Sequence, residues 1–499
     1  MKSKQEKKET DHEHGRLIEE RLGKLEEMRK ENINPYPYKY KVTDTALNIK
    51  EKFSSLKPEE HSGKKERVAG RIVLKRKMGK VFFITLQDEF EKLQAYLRKD
   101  DLGDLFDKLR LLDLGDYIGV EGEIFKTKTG EVTVYAEKFE ILSKAIRPLP
   151  EKYHGLKDTE LKYRKRYLDL IVNPESAKTF RKRIALLKAV REFLDKKGFL
   201  EVETPILHPI YGGAAAKPFT TFHNELKMNL YLRISPELYL KRLIVGGFNK
   251  VYDINKNFRN EGIDTTHNPE FTMLELYEAY KDYNDMMKLT EEMYEYVAKK
   301  VNGTTKSVFK GKEIDFKAPW PRVKMLDSIK EHAGIDAGGM SVEELKKFAL
   351  SKGVEFDAEH SWGNYVQAIF EHFCEDKYEQ PTFIMDHPKE TTPLCKAHRE
   401  DPRLIERFEP FCMGMELGNA YSELNNPMIQ RKLLEDQARQ LKAGNEEANP
   451  LDEDFIEAIE QGMPPTGGLG IGIDRMAMLL LGKESLRDVI FFPTMKPEK

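Results

Sequence analysis

Two segments carry arginine where a phosphate group could be met. The first runs Lys250 to Glu261, ends in Phe258-Arg-Asn-Glu261, and is followed after a loop by Pro269 to Tyr280. Read as an antiparallel hairpin, it places Arg259 and Glu261 on one side. Alternation likewise places Phe271, Met273, Glu275 and Tyr277 on one face. That set offers a cation for phosphate, an aromatic ring for a base, and carboxylates for an ammonium group or a metal. An amphipathic hairpin with surface ion pairs explains the alternation, but not so many charges on a face that should be buried. The second segment is Gly467-Gly-Leu-Gly-Ile-Gly-Ile-Asp-Arg475, continued by an apolar run. Its alternating glycines let a strand lie close to a ligand. The spacing is not GxGxxG, because Ile473 stands at the third glycine position, and the chain has no GxxxxGK[ST]. A packing strand with Asp474 and Arg475 as a structural pair stays open as the other reading. A third segment, Lys197 to Leu207, reads only as a helix end, a strand and a proline.

These segments need a scaffold, and 499 residues predict two or three domains. With 39% hydrophobic and 34% charged residues the chain reads as a hydrated globular protein. A net charge of -2 excludes a uniformly basic surface but not a local basic face. The three cysteines, Cys374, Cys395 and Cys412, form no CxxC, so neither a disulfide framework nor a cysteine zinc site is expected. His208, Cys395 and His398 lack metal spacing, and His332, His360 and His372 read as ordinary surface or core residues. No apolar run is long enough for a membrane span, and Met1–Thr10 lacks a signal-peptide core, so the cytoplasm is the expected location.

Residues 1–60 read as a charged helical extension, in which Leu17, Leu22, Leu25 and Met28 form a weak stripe; a disordered arm is the alternative. Residues 61–146 show five short alternating runs, Arg67–Leu74, Lys80–Leu86, Leu93–Leu97, Tyr117–Phe125 and Glu131–Leu142. A helical stretch, Leu102–Leu111, follows the third. That order predicts an OB-fold barrel, of which one face commonly binds single-stranded nucleic acid. Residues 147–165 read as a linker. Residues 166–499 alternate longer helices and strands, with a helix at Thr179–Lys197 whose stripe is Ile184, Leu187, Val190 and Leu194. A helical insertion is expected at about 321–380.

In order and spacing, the three segments resemble motifs 1, 2 and 3 of class II aminoacyl-tRNA synthetases, and a preceding barrel resembles subgroup IIb. Gly212-Gly-Ala-Ala-Ala-Lys-Pro-Phe219, Ser235-Pro-Glu-Leu-Tyr-Leu-Lys-Arg242, His267-Asn-Pro-Glu-Phe271 and Glu416 to Pro427 resemble the lysyl-tRNA synthetases. The similarity runs from about Arg67 to Pro497. It implies an α+β protein, an OB-fold barrel followed by a catalytic domain built on an antiparallel sheet flanked by helices. It also implies ATP-dependent activation of L-lysine, transfer to tRNA(Lys), and a homodimer formed through motif 1.

By that resemblance Arg259 meets the α-phosphate and Arg475 the γ-phosphate, and the two are the catalytic residues. Glu261, His267, Asn268, Phe271 and Glu416 complete the ATP site, with Phe271 stacking on adenine. Gly213, Glu237, Glu261, Tyr277, Asn419, Tyr421 and Glu423 bind lysine, while Glu409 and Glu416 hold Mg2+. Arg71, Phe83, Gln94 and Glu131 read the anticodon; Phe83 is expected to face outward and Phe82 inward. The glycines before Arg475 are expected to let the bent nucleotide lie close. Substrate logic points the same way, since a buried ammonium needs opposite charge, which Glu237 and Glu423 provide. One departure is Thr392, where the family usually carries serine. Relatives that lysylate proteins lack the barrel, so residues 66–142 argue against that activity. Glu416 has opposite parity to Asn419, Tyr421 and Glu423, so a shared pocket requires a bulge near Gly418.

Overall fold

Alternation of apolar and polar residues in the N-terminal part folds into a closed barrel in this computed structural model, which describes residues 4–150, 158–356 and 361–498. Residues 151–157 of the expected linker, and His360, lie outside the described residues. The chain divides into two compact units, Met1–Gly155 and Leu156–Lys499.

In the first unit the strands His61–Met78, Val81–Gln87, Lys92–Arg98, Tyr117–Lys126 and Val132–Ser143 close in the order first, second, third, fifth, fourth. Short helical turns from Lys99 to Leu111 separate the third and fourth strands, where the sequence predicts a helix. Ile72, Ile84, Leu97, Val120 and Val134 fill the interior. Phe82 joins them, and Phe83 on the opposite side of the same strand faces outward, as alternation requires. The N-terminal extension contains a helix, Lys4–Lys30. Leu25 and Met28 are buried but Leu22 is exposed. Arg21 anchors this helix by donating to the carbonyls of Leu114, Ala145 and Arg147 at 3.0–3.1 Å.

The second unit is built on one large sheet. Its order is Arg322–Lys324, Thr382–Pro388, Leu404–Cys412, Gly418–Ser422, Thr466–Gly472, Glu270–Ala279, Lys250–Phe258, Leu200–Glu201. The interior pairs are antiparallel and only the outermost pair at each edge is parallel. The helices Pro174–Lys196 and Tyr283–Asn302 pack on it through Leu186, Val190, Leu194, Met286, Met293 and Val297. Of the stripe read for the first helix, Val190 and Leu194 are buried and Leu187 packs against the core, whereas Ile184 is exposed and Phe180, Arg183, Leu186 and Phe193 are buried as well. Arg183 widens the buried face on that side by reaching inward to Asp474 at 2.5 Å. The helices Met325–His332, Val342–Lys352 and Trp362–Phe373 have their own core around Ile329, Leu345, Tyr365 and Phe370. Two of these helices start with capping boxes, Ser341 with Glu344 and Ser361 with Asn364.

Strand register resolves the parity of Glu416. Phe411 pairs with Glu416 whereas Phe408 pairs with Ala420, so four steps on one strand oppose three on the other. The extra residue falls at Leu417–Gly418, which turns Leu417 into the core and leaves Glu416 on the same side as Asn419 and Tyr421.

Candidate active site

The hairpin Lys250–Phe258 and Glu270–Ala279 is regular from Lys250 opposite Glu278 to Phe258 opposite Glu270. Pleating therefore sends Phe271, Met273, Glu275 and Tyr277 to one face, where they line two adjoining cavities. The larger, about 420 Å3, also takes in Gly213, Ser235, Glu237, Arg407, Glu409, Asn419, Tyr421 and Glu423. The smaller, about 200 Å3, is lined by Glu261, His267, Asn268, Phe271, Asp474 and Arg475. Arg259, Met273 and Glu416 border both. Residues spread over more than 260 positions of sequence thus meet at one junction.

Arg259 sits at that junction. Its guanidinium lies 5.1 Å from the centre of the Phe271 ring, and Nε is buried without an acceptor. Among the described residues it makes no ion pair. A guanidinium so placed is a ready receptor for an anion. Arg475 donates from Nη1 to the Glu416 carbonyl at 2.5 Å, and its Nη2 lies 3.4 Å from His267 Nε2. Asp264 orients His267 from the other ring nitrogen at 2.8 Å. Asn268 accepts from the backbone N–H of Thr494 at 3.2 Å, tying the C-terminal segment to this wall. Asp474, held by Arg183, accepts from the backbone N–H of Thr272 at 2.8 Å and so locks the hairpin to the glycine strand.

The far end of the larger cavity is acidic. Glu237, Glu275 and Glu423 are all buried, from a helix start, a strand and a strand end. Ser235 donates to both Glu275 oxygens, at 2.8 and 3.1 Å. Burial, then the neighbouring Glu237, pushes the Glu275 carboxyl up to about 8. Tyr277 donates to Glu275 at 3.4 Å. Neither Glu423 oxygen has a hydrogen bond of good geometry, although both are buried. Lys241 Nζ nevertheless stands 2.5 Å from Oε2, so the oxygen left for a cationic ligand is Oε1. Asn419 is fixed by Arg407 at 2.9 Å and itself donates to the Tyr421 hydroxyl at 2.5 Å. Arg407 also pairs closely with Glu409. Glu409 and Glu416 share the cavity wall, and burial followed by repulsion from Glu409 pushes the Glu416 carboxyl up. Two mutually repelling carboxylates suit a hard divalent cation, though no cluster of three or more metal-ligating side chains occurs among the described residues.

The glycine strand does something other than expected. Gly468 and Gly470 border the acidic cavity, and only Gly472 borders the smaller one. A Cβ at Gly468 would stand 1.9 Å from Glu423 Oε1 and 2.6 Å from Tyr277 Cε1, and one at Gly470 would stand 2.5 Å from Met273 Cε. These glycines make room for side chains of the acidic end rather than for a ligand in the smaller cavity. Glu275 shares the face already read from alternation. Ser235, Arg407 and Lys241 carry no assigned role in the sequence reading, although Arg407 and Glu409 show strand spacing and Glu237 and Lys241 helix spacing.

On the barrel, Phe83 and Gln94 line an open groove of about 640 Å3 with Arg76, Tyr96, Phe125 and Tyr135. The rings of Phe83 and Tyr96 are 5.2 Å apart and those of Tyr96 and Tyr135 another 5.2 Å. Arg71 and Glu131 do not line this groove. Arg71 donates to the Gly115 carbonyl at 2.9 Å and stacks on Tyr117, and Glu131 faces Lys50 at 3.5 Å.

Comparison with known proteins agrees with this layout. Residues 158–496 match the family described as tRNA synthetases class II (D, K and N), and residues 66–142 match the OB-fold nucleic acid binding domain. A lysine–tRNA ligase of Clostridium novyi (strain NT) is 52% identical over 489 residues, covering 97% of this chain and 95% of that protein. One from Pelotomaculum thermopropionicum is 54% identical over 487 residues, covering 97% and 95%. One from Methanoculleus marisnigri is 52% identical over 483 residues, covering 95% and 94%. With its barrel, its antiparallel sheet and a match over more than half its length, the chain belongs to the class II tRNA synthetases of the D, K and N group.

Proposed function

We propose that this chain is a lysine–tRNA ligase, which activates L-lysine with ATP and transfers it to tRNA(Lys). The observation that carries this reading is the buried acidic end of the larger cavity. There Glu237, Glu275 and Glu423 line the same cavity as Arg259, with Glu423 Oε1 buried without a partner while the Lys241 ammonium meets Oε2 from outside the cavity. An aspartate pocket would instead need a cation lining the cavity at that end, and Lys241 does not line it.

A lysine carboxylate oxygen attacks the α-phosphorus of ATP, forming the mixed anhydride while pyrophosphate leaves. The adenylate carbonyl is then attacked by the terminal ribose hydroxyl of tRNA, releasing AMP. No protein nucleophile is needed, and rate comes from positioning and neutralised charge. Arg259 at the junction receives the α-phosphate, and Arg475 with His267 receives the outer phosphates. Phe271 stacks on adenine, with Glu261 and Asn268 beside it in the smaller cavity. Glu237, Tyr277 and Glu423 take the side-chain ammonium. Gly213, Glu261, Asn419 and Tyr421 orient the α-amino and carboxylate groups. Glu409 and Glu416 would hold Mg2+, which would supply charge neutralisation to the phosphates.

The barrel groove reads the anticodon through Phe83 and Gln94, and Arg71 and Glu131 act from outside it. Exposed Leu200, Ile206 and Leu207 in motif 1 support a homodimer. Three buried free thiols suit a reducing cytoplasm, and no helix among the described residues is long and apolar enough to cross a membrane.

Amino-acid-dependent exchange of pyrophosphate into ATP tests the reading. Lysine is expected to support exchange; aspartate or asparagine doing so in its place would overturn the specificity. Phe83→Ala should leave exchange intact and weaken charging of tRNA by about tenfold, since stacking one base is worth about 1–3 kcal/mol. Equal damage to both steps would refute that division of labour. Glu275 adds a pH signature. Its carboxyl is neutral below about 8, and a bound ammonium favours the charged form. The KM for lysine should therefore fall as pH rises toward 8 and level off above it; a flat profile would contradict this.

A further inference from the structure

Lys241 lies one helical turn after Glu237 in the helix Glu237–Val245 and is fully buried. Its Nζ donates to Glu237 Oε1 at 2.5 Å and stands 2.5 Å from Glu423 Oε2. Nothing in the proposed reaction uses this ammonium. Glu237 and Glu423 line the larger cavity and Lys241 does not, so it reaches the carboxylates from the protein side. The Glu423 contact is a close ion pair made through Oε2, which leaves Glu423 Oε1 open to a donor arriving from the cavity.

Two buried carboxyl groups this close cannot both stay charged without a cation. Burial pushes Glu237 and Glu423 above their ordinary range, and on each the largest opposing influence is Lys241. The other titratable groups facing the pair are Glu275 and Tyr277 from one strand, Tyr421 from the strand beyond the glycine strand, and Cys395, whose backbone bridges that of Glu423. None of these is a cation.

We propose that Lys241 is a positioning residue for substrate selection, holding Glu237 and Glu423 charged and fixed so that their cavity-side oxygens receive the substrate's ammonium. The inference rests on lysine being the substrate. It differs from a structural ion pair in one respect: it sets the charge that the cavity presents.

Lys241→Met keeps the chain length and removes the charge. In pyrophosphate exchange the KM for lysine is expected to rise by at least about tenfold, with kcat within about threefold of the parent. The pH at which that KM levels off should move upward by about one pH unit. Lys241→Arg should restore the parental pH profile. A lysine KM within twofold of the parent, or a raised KM with the profile in its parental place, would overturn the proposal. The double variant Lys241→Met with Glu423→Gln removes one charge of each sign and covers the case in which the single variant does not fold. Its lysine KM should exceed that of Glu423→Gln alone by at least about tenfold, because the burial of Glu237 then has no cation to oppose it; a KM matching that of Glu423→Gln alone would refute the idea. A parent that exchanges with another amino acid would remove the function and this inference together. A lysine-dependent parent with an unchanged Lys241→Met would remove only the inference.

Discussion

Arg259→Ala is expected to abolish lysine-dependent exchange, lowering kcat/KM by at least about 10^3-fold while the chain stays folded. Arg259 borders both cavities and makes no ion pair among the described residues. Removing it strands no buried partner, so the structural cost is small. The chemical cost is large because charge builds on the α-phosphate as its bond to pyrophosphate breaks. A single preorganised donor at such a place is worth about 10^2–10^3 in kcat, and an arginine on a transferring phosphoryl group about 10^3–10^5. Arg259→Lys keeps the charge and loses the fork, so it should recover only part of the rate. Exchange measured beside thermal unfolding separates the two effects. Activity within tenfold of the parent, at unchanged stability, would rule out the assignment.

Gly468→Ala should raise the KM for lysine by about 10^2-fold and leave the KM for ATP nearly unchanged. The added methyl would lie 1.9 Å from Glu423 Oε1 and 2.6 Å from Tyr277 Cε1, far inside van der Waals contact. Glu423 cannot withdraw, since Lys241 stands 2.5 Å behind it. Overpacking of this kind costs about 1–3 kcal/mol, and here the strain falls on the groups that meet the ammonium. Gly468 does not border the smaller cavity, so adenine and outer phosphates are spared. Equal rises in both KM values would show instead that the glycine serves the nucleotide, as the bare sequence suggested.

Much of the site was legible because it follows local rules. Strand period two placed Phe271, Met273, Glu275 and Tyr277 on one face, and placed Phe83 outside while Phe82 went in. The mismatch of Glu416 with Asn419 predicted the irregularity found at Leu417–Gly418. The five barrel strands and their order also lay within reach of alternation and turn signals. Helix faces read less well. The helix Pro174–Lys196 turns Arg183 inward, because Asp474, almost 300 positions later, offers it a partner, and no periodicity reports such a partner.

The sequence by itself determined which residues could do chemistry, the order of the two domains, and, through its resemblance, the family. Those properties reside in residue type and near-neighbour spacing. Only the tertiary structure decided how the charges are shared out. It put Lys241 behind Glu237 and Glu423 rather than among solvent, gave Gly468 to the acidic end rather than the smaller cavity, and left Arg259 between two cavities with no ion pair among the described residues. The physical reason is that the cost of a buried charge depends on what lies within a few ångströms of it, and those neighbours come from strands and helices far apart in the chain.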